Sequence, residues 1–190
     1  MKLMSTLGVS LTNDIIVPGV SWCLQHAVDG YAHFEGDELA TQASPGRVFQ
    51  FVGDNEGNAL KTATRFLVRL SEDGYICWFE SSAIIEKAIS CNAWKPILLD
   101  RLQIKNRISK ILFWVENASR NSNIYLWGGT TGPNFDCSGL VQSAFASQEI
   151  WLPRDAYQQE KFCKKIEIDQ NQFELLIPGD LVFFGSSEKC

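Results

Sequence analysis

Histidine is almost absent from this chain: there are two in 190 residues, His26 and His33. A block of basic residues is missing too. Lys and Arg number 17 against 22 Asp and Glu, a formal net charge of −5. Nucleic acid and anionic membrane surfaces are therefore poor partners. No run approaches the ~18 apolar residues that a membrane helix requires. The opening MKLMSTLGVSLTNDII is interrupted by Ser5, Thr6, Gly8, Ser10 and Thr12 and closed by Asp14, so it does not read as a secretory signal. The six cysteines, Cys23, Cys77, Cys91, Cys137, Cys163 and Cys190, show no CxxC or zinc-like spacing. Without a signal segment, the expectation is reduced thiols in a cytoplasmic protein, with no metal and no cofactor.

The remaining composition, 45% hydrophobic and 21% charged, is that of a globular chain with material for a core. The first half reads as β. The segments 15–19 (IIVPG), 22–28 (WCLQHAV), 47–53 (RVFQFVG), 65–70 (RFLVRL) and 75–79 (YICWF) are short and rich in Val, Ile and aromatics. Turn residues separate them at Asp29-Gly30, Pro45-Gly46, Asp54-Asn55-Glu56-Gly57 and Asp73-Gly74. Phe66, Val68 and Leu70 alternate as in a half-buried strand, and the set suggests a small barrel that closes its own edges.

Beyond Pro96 the apolar spacing becomes helical. Leu102, Ile104, Ile108, Ile111, Leu112, Val115 and Ala118 follow three- and four-residue intervals, with Asp100 as N-cap and a stop at the polar residues 120–123. The domain boundary is placed between residues 86 and 99. A second helical pattern pairs Leu140 with Ala144 and Val141 with Phe145, and residues 175–185 (LLIPGDLVFFG) read as a Pro-Gly turn feeding a buried strand.

Between the helical patterns lies YLWGGTTGPNFDCSGLV, residues 125–141, in which Cys137 opens a helix. A helix N-terminus stabilises a thiolate through its unpaired N–H groups and macrodipole. The N–H of Cys137 would also face a developing oxyanion. Asp136 takes an N-cap position and Gly139 keeps the first turn slim. From these residues alone, Cys137 is either a nucleophile or a small packing residue. The neighbours have equally plain alternatives. Tyr125 and Trp127 serve as core aromatics, Asp136 as a cap only, Ser138 as a first-turn residue and Tyr75 as barrel packing. Arg154 and Asp155 read as an ion pair between loops.

YLWGG, DCSGL, WLPRDAYQQ and PGDLVFFG, in that order across residues 125–185, resemble the NlpC-type family of bacterial cell-wall cysteine peptidases, which are papain-like. The upstream LATQASPGR and EDGYICW resemble the bacterial SH3-like domain of the cyanobacterial-type members. The resemblance implies an α+β protein with an N-terminal segment (1–19), an all-β SH3-like barrel (20–90) and an incomplete papain-like α+β domain (100–190). The implied reaction is hydrolysis of the γ-D-glutamyl–diamino acid bond in peptidoglycan stem peptides with a free N-terminal L-Ala, as in cell-wall recycling. The implied roles make Cys137 the nucleophile and Tyr125 an aid in polarising the carbonyl. Trp127, Asp136 and Ser138 then line the pocket for L-Ala-γ-D-Glu, with Asp136 facing the free ammonium. Tyr75 closes that pocket from the first domain.

A cysteine peptidase needs an imidazole to accept the thiol proton. His26 and His33 both lie in the predicted barrel. In the family the base follows on the strand after PGDLVFFG, and the chain ends at Cys190 before any such residue. The expectation is thus a truncated form, its last strand left as an apolar unpaired edge. The alternative is an inactive muropeptide-binding module or a pseudogene product. An acyltransferase or amidase on the same fold is a further competitor, which a free-amine pocket would disfavour.

Overall fold

Short β-branched and aromatic segments divided by Gly turns build the first half of the molecule. The computed structural model describes residues 7–16, 18–53, 63–166, 168 and 172–185. Strands β1 (Ser21–Leu24), β2 (Val28–Tyr31), β3 (Leu39–Ala43), β4 (Val48–Phe51), β5 (Arg65–Leu70), β6 (Ile76–Glu80) and β7 (Ala88–Cys91) form one sheet. Its order is β3-β2-β6-β5-β4-β1-β7, and the paired strands are antiparallel. Among the described residues β3 and β7 do not pair with each other, so this seven-stranded sheet is open. Residues 8–10 run beside β7: Gly8 N–H donates to Ser90 O at 2.9 Å and Ser90 N–H to Val9 O at 2.8 Å.

The alternation in RFLVRL is realised as β5, with Phe66, Val68 and Leu70 buried. They join Trp22, Leu24, Phe49, Phe51 and Phe79 in one core. Edge-to-face contacts at 5.4–5.6 Å link Phe49 to Phe51 and Phe79, and Phe51 to Phe66. Each such side chain contributes about 1.5–3 kcal/mol by leaving water. Segments 47–53 and 75–79 contain β4 and most of β6. Segment 22–28 instead divides between β1 and the first residue of β2. The described residues of 15–19 are not a strand: a 3-10 turn covers Asn13–Ile15, and Gly19 has a φ of 82°. The turn at Asp54–Gly57 lies outside the described residues.

In the second half, Asp100 caps α2 (Arg101–Lys105) through a reciprocal box. It accepts from Gln103 N–H at 2.8 Å and its own N–H donates to Gln103 Oε1 at 2.9 Å. The single helix expected from here is broken. Arg107 separates α2 from α3 (Ile108–Ser119) and directs its guanidinium to Gln148 O and Glu149 Oε2. Helix α4 (Cys137–Ala146) follows, then α5 (Ala156–Phe162); a short turn of helix, α1 (Ser81–Ile84), precedes β7. The fully buried side of α4 carries Ser138, Gly139, Gln142 and Ala144, leaving Leu140, Val141 and Phe145 half-buried.

Residues 177–180 form the expected turn, with Asp180 accepting from Ile177 N–H at 2.8 Å. The segment after it is neither buried nor a strand in its described residues: Phe184 is 84% exposed.

Buried polar contacts join the sheet to the helices. Arg47 donates to Glu72 at 3.2 Å, lies 2.9 Å from Asp73 and covers the Trp151 ring at 4.6 Å. Gln142 of α4 donates to Asp73 at 2.9 Å.

Candidate active site

The sequence Asp-Cys-Ser-Gly folds as a capped helix start. Asp136 is extended, with φ −89° and ψ 177°, and its Oδ1 accepts from Gly139 N–H at 2.7 Å. That places Cys137 in the first turn of α4 with its side chain exposed, whereas Cys23, Cys77, Cys91 and Cys163 are buried or half-buried. The first N–H groups of a helix have no helical acceptor, so the Cys137 N–H is placed to meet an anion. Gly139 is a steric requirement. A Cβ there would stand 2.0 Å from the carbonyl oxygen of Gly129, which crosses the first turn.

Asp136 is 7% exposed and its carboxylate is already engaged. Oδ2 accepts from Gly128 N–H at 2.8 Å and Oδ1 from Ser138 Oγ at 3.2 Å. Arg154, 2% exposed, grips both oxygens with its two terminal nitrogens. It also donates to Ser138 Oγ at 2.9 Å and to Thr41 Oγ1 of β3 at 3.3 Å. The sequence reading joins Arg154 to Asp155; its ion pair is with Asp136. The negative charge of Asp136 is therefore neutralised from within, and the Ser138 hydroxyl is spent on the same network.

Asp155 is left facing the open space. It precedes α5 in N-cap position yet makes no cap bond. On the cavity side its neighbour is the Tyr75 phenol of the sheet half. Burial raises the Asp155 pKa above the usual carboxylate value, against Arg154 and then the Tyr75 phenol, which hold it down. Burial first, and then Asp155, push the Tyr75 phenol well upward. The Tyr125 pKa is raised by desolvation first, and then by the adjacent Cys137 and Asp136.

Tyr75, Tyr125, Trp127, Asp136, Cys137 and Ser138 all line one cavity of about 740 Å³. Glu38, Arg154, Asp155 and Phe183 line it too. The six residues selected from the sequence thus meet at one place. Glu38 was not selected from the sequence, and Asp155, which falls in the WLPRDAYQQ block, was read only as the ion-pair partner of Arg154. Among the described residues no histidine lines this cavity. His33 is exposed, 3.6 Å from Glu38. Among the described residues no cluster of His, Cys, Asp and Glu is suited to a metal, and no helix is long and apolar enough to cross a membrane.

Residues 122–190 match the NlpC/P60 family. Over 64 residues the chain is 42% identical to the gamma-D-glutamyl-L-lysine dipeptidyl-peptidase of Bacillus subtilis, covering 34% of this chain and 20% of that protein. It is 47% identical over 64 residues to the bifunctional muramidase/DL-endopeptidase CwlT of the same organism, covering 33% and 18%. The aligned part spans about a fifth of the length of these curated relatives. Among solved structures, NlpC2 from Trichomonas vaginalis superposes with a TM-score of 0.37 at 14% identity, over 86% of this chain and 77% of the other. An NlpC/P60 family protein from Bacillus cereus gives 0.32 at 16% identity, over 84% and 45%.

Proposed function

We propose that Cys137 is the nucleophile of a cytoplasmic cysteine peptidase that hydrolyses the γ-D-glutamyl–diamino acid bond of peptidoglycan stem peptides bearing a free N-terminal L-Ala. The observation that carries this reading is an exposed thiol in the first turn of α4, in a cavity that a half-buried carboxylate, Asp155, also lines. The relatives named as γ-D-glutamyl peptidases support the bond class. The sheet half, in this reading an SH3-like domain, contributes Tyr75 and Glu38 to the cavity and shortens it beyond the alanine.

The ammonium role falls to Asp155 and not to Asp136, because Asp136 is already neutralised by Arg154. In the chemical step, Cys137 Sγ bonds to the γ-glutamyl carbonyl carbon and the C–N bond breaks. The amine of the diamino acid leaves with a proton, and water then cleaves the thioester. In this reading the Cys137 N–H and the Tyr125 hydroxyl donate to the carbonyl oxygen as it gains charge. An imidazole must accept and return the proton. Since none lines the cavity among the described residues, a second reading is a binding module that holds the same peptide without turnover.

Calorimetry with L-Ala-γ-D-Glu-diaminopimelate and its N-acetyl form, with mass spectrometry for released diaminopimelate, tests both. The free-amine peptide is expected to bind about tenfold or more tighter. Release supports the peptidase, and binding without release supports the module. If neither peptide binds, both readings fail.

A further inference from the structure

β3 is an edge strand of the sheet, and its outer edge lies against the loop that leads into Cys137. We propose that Gln42 of β3 and Thr130 of that loop are positioning residues for Cys137, an inference that rests on Cys137 being the nucleophile.

The contact is unusually complete. The Thr130 hydroxyl accepts from the Gln42 backbone N–H at 3.0 Å and donates to the Gln42 carbonyl oxygen. One hydroxyl thereby satisfies both the N–H and the carbonyl oxygen of Gln42. The Gln42 side chain returns the grip. Its Oε1 accepts from Thr130 N–H at 3.3 Å, Thr131 N–H at 3.2 Å and Thr131 Oγ1 at 2.8 Å. Its Nε2 donates to Asp29 Oδ1 at 2.9 Å on the neighbouring strand. Donors on one side and a carboxylate on the other fix which way the amide points.

The far side of the loop is tied to α4. Thr130 O accepts from Ser143 Oγ at 2.6 Å, and Gly128 N–H donates to the capping carboxylate of Asp136. Gly128, at φ 80°, packs directly on β3: a Cβ there would stand 2.4 Å from Leu39 O. Position therefore passes from β3 through the loop to the cap of α4, and from the cap to the thiol. A frayed cap moves the first turn of α4, and the Cys137 thiol with it, out of the place where the loop holds it.

The test is site-resolved iodoacetamide alkylation of the whole chain at one fixed pH, with binding of L-Ala-γ-D-Glu-diaminopimelate measured in parallel. Gln42→Leu and Thr130→Val should slow Cys137 alkylation by about tenfold or more, the scale of a small misplacement of a reacting group. Thr130→Ser, which keeps the hydroxyl, should recover most of the rate, and buried Cys77 should stay protected. If Gln42→Leu does not fold, the Thr130 pair decides alone. Wild-type rates in Gln42→Leu and Thr130→Val would overturn the proposal. So would Cys77 becoming reactive in step, since that marks general loosening. A wild-type chain that binds no peptide would sink the functional reading, while the alkylation comparison would still stand.

Discussion

At Asp155, desolvation and a guanidinium pull in opposite directions, and desolvation prevails. Two consequences follow from the raised pKa. As pH falls through it the carboxyl takes up a proton, so an ammonium ligand loses its counter-charge at a higher pH than at an ordinary aspartate, ~3.9. Calorimetry across the acid range should show affinity for the free-amine peptide falling early, with Asp155→Asn weak and flat; equal profiles would remove Asp155 from the pocket chemistry. For stability, folding favours the protonated form. That contribution is fully present below the unfolded-state pKa and is lost as pH rises through the folded one. Arg154 poses a different case. Arg154→Ala would leave Asp136 buried and unpaired, an expected loss of about 3–5 kcal/mol in urea unfolding. A loss near zero would mean that water replaces the guanidinium.

At the scale of the element, α4 depends on its glycine as much as on its cap. Gly139→Ala sets a methyl group 2.0 Å from the Gly129 oxygen, so the loop or the helix must move. The expected cost is about 1–3 kcal/mol, with slower Cys137 alkylation; unchanged values on both would show that the loop yields freely. Much at this scale was legible in advance. Asp100 and Asp136 announced helix starts, because a short side chain that accepts from the third following N–H works within four residues of sequence. Alternation in RFLVRL gave β5 for an equally local reason. β3 and β7 were not legible: LATQA and AISC have little β-branched or aromatic content, and they are strands because of what they pair with. In the gap between α2 and α3, Arg107 likewise has a distant partner, Gln148 O just beyond α4.

Across the whole molecule, the placement of the candidate residues followed from motif order, but the use of each carboxylate did not. Asp136 and Asp155 both stand ahead of a helix and both line the cavity; the ion pair with Arg154 engages Asp136, and Asp155 is left beside Tyr75. Those contacts belong to a junction where Thr41, Gln42, Asp73 and Arg47 of the sheet half meet Arg154, Thr130, Gln142 and Trp151 of the helical half. So many buried polar bonds across one junction predict that the two halves unfold together. Tryptophan fluorescence and far-UV circular dichroism should give coincident denaturation curves. Two separated transitions would mean that the halves are independent.

The open sheet has one more implication. Unpaired edges invite strand addition from another copy and, through it, aggregation. Residues 8–10 occupy the β7 side, and the Thr130 hydroxyl plugs the backbone of β3 at Gln42. The same threonine that steadies the thiol loop thus also guards the sheet against self-templating. Detaching it would register in light scattering as concentration-dependent association.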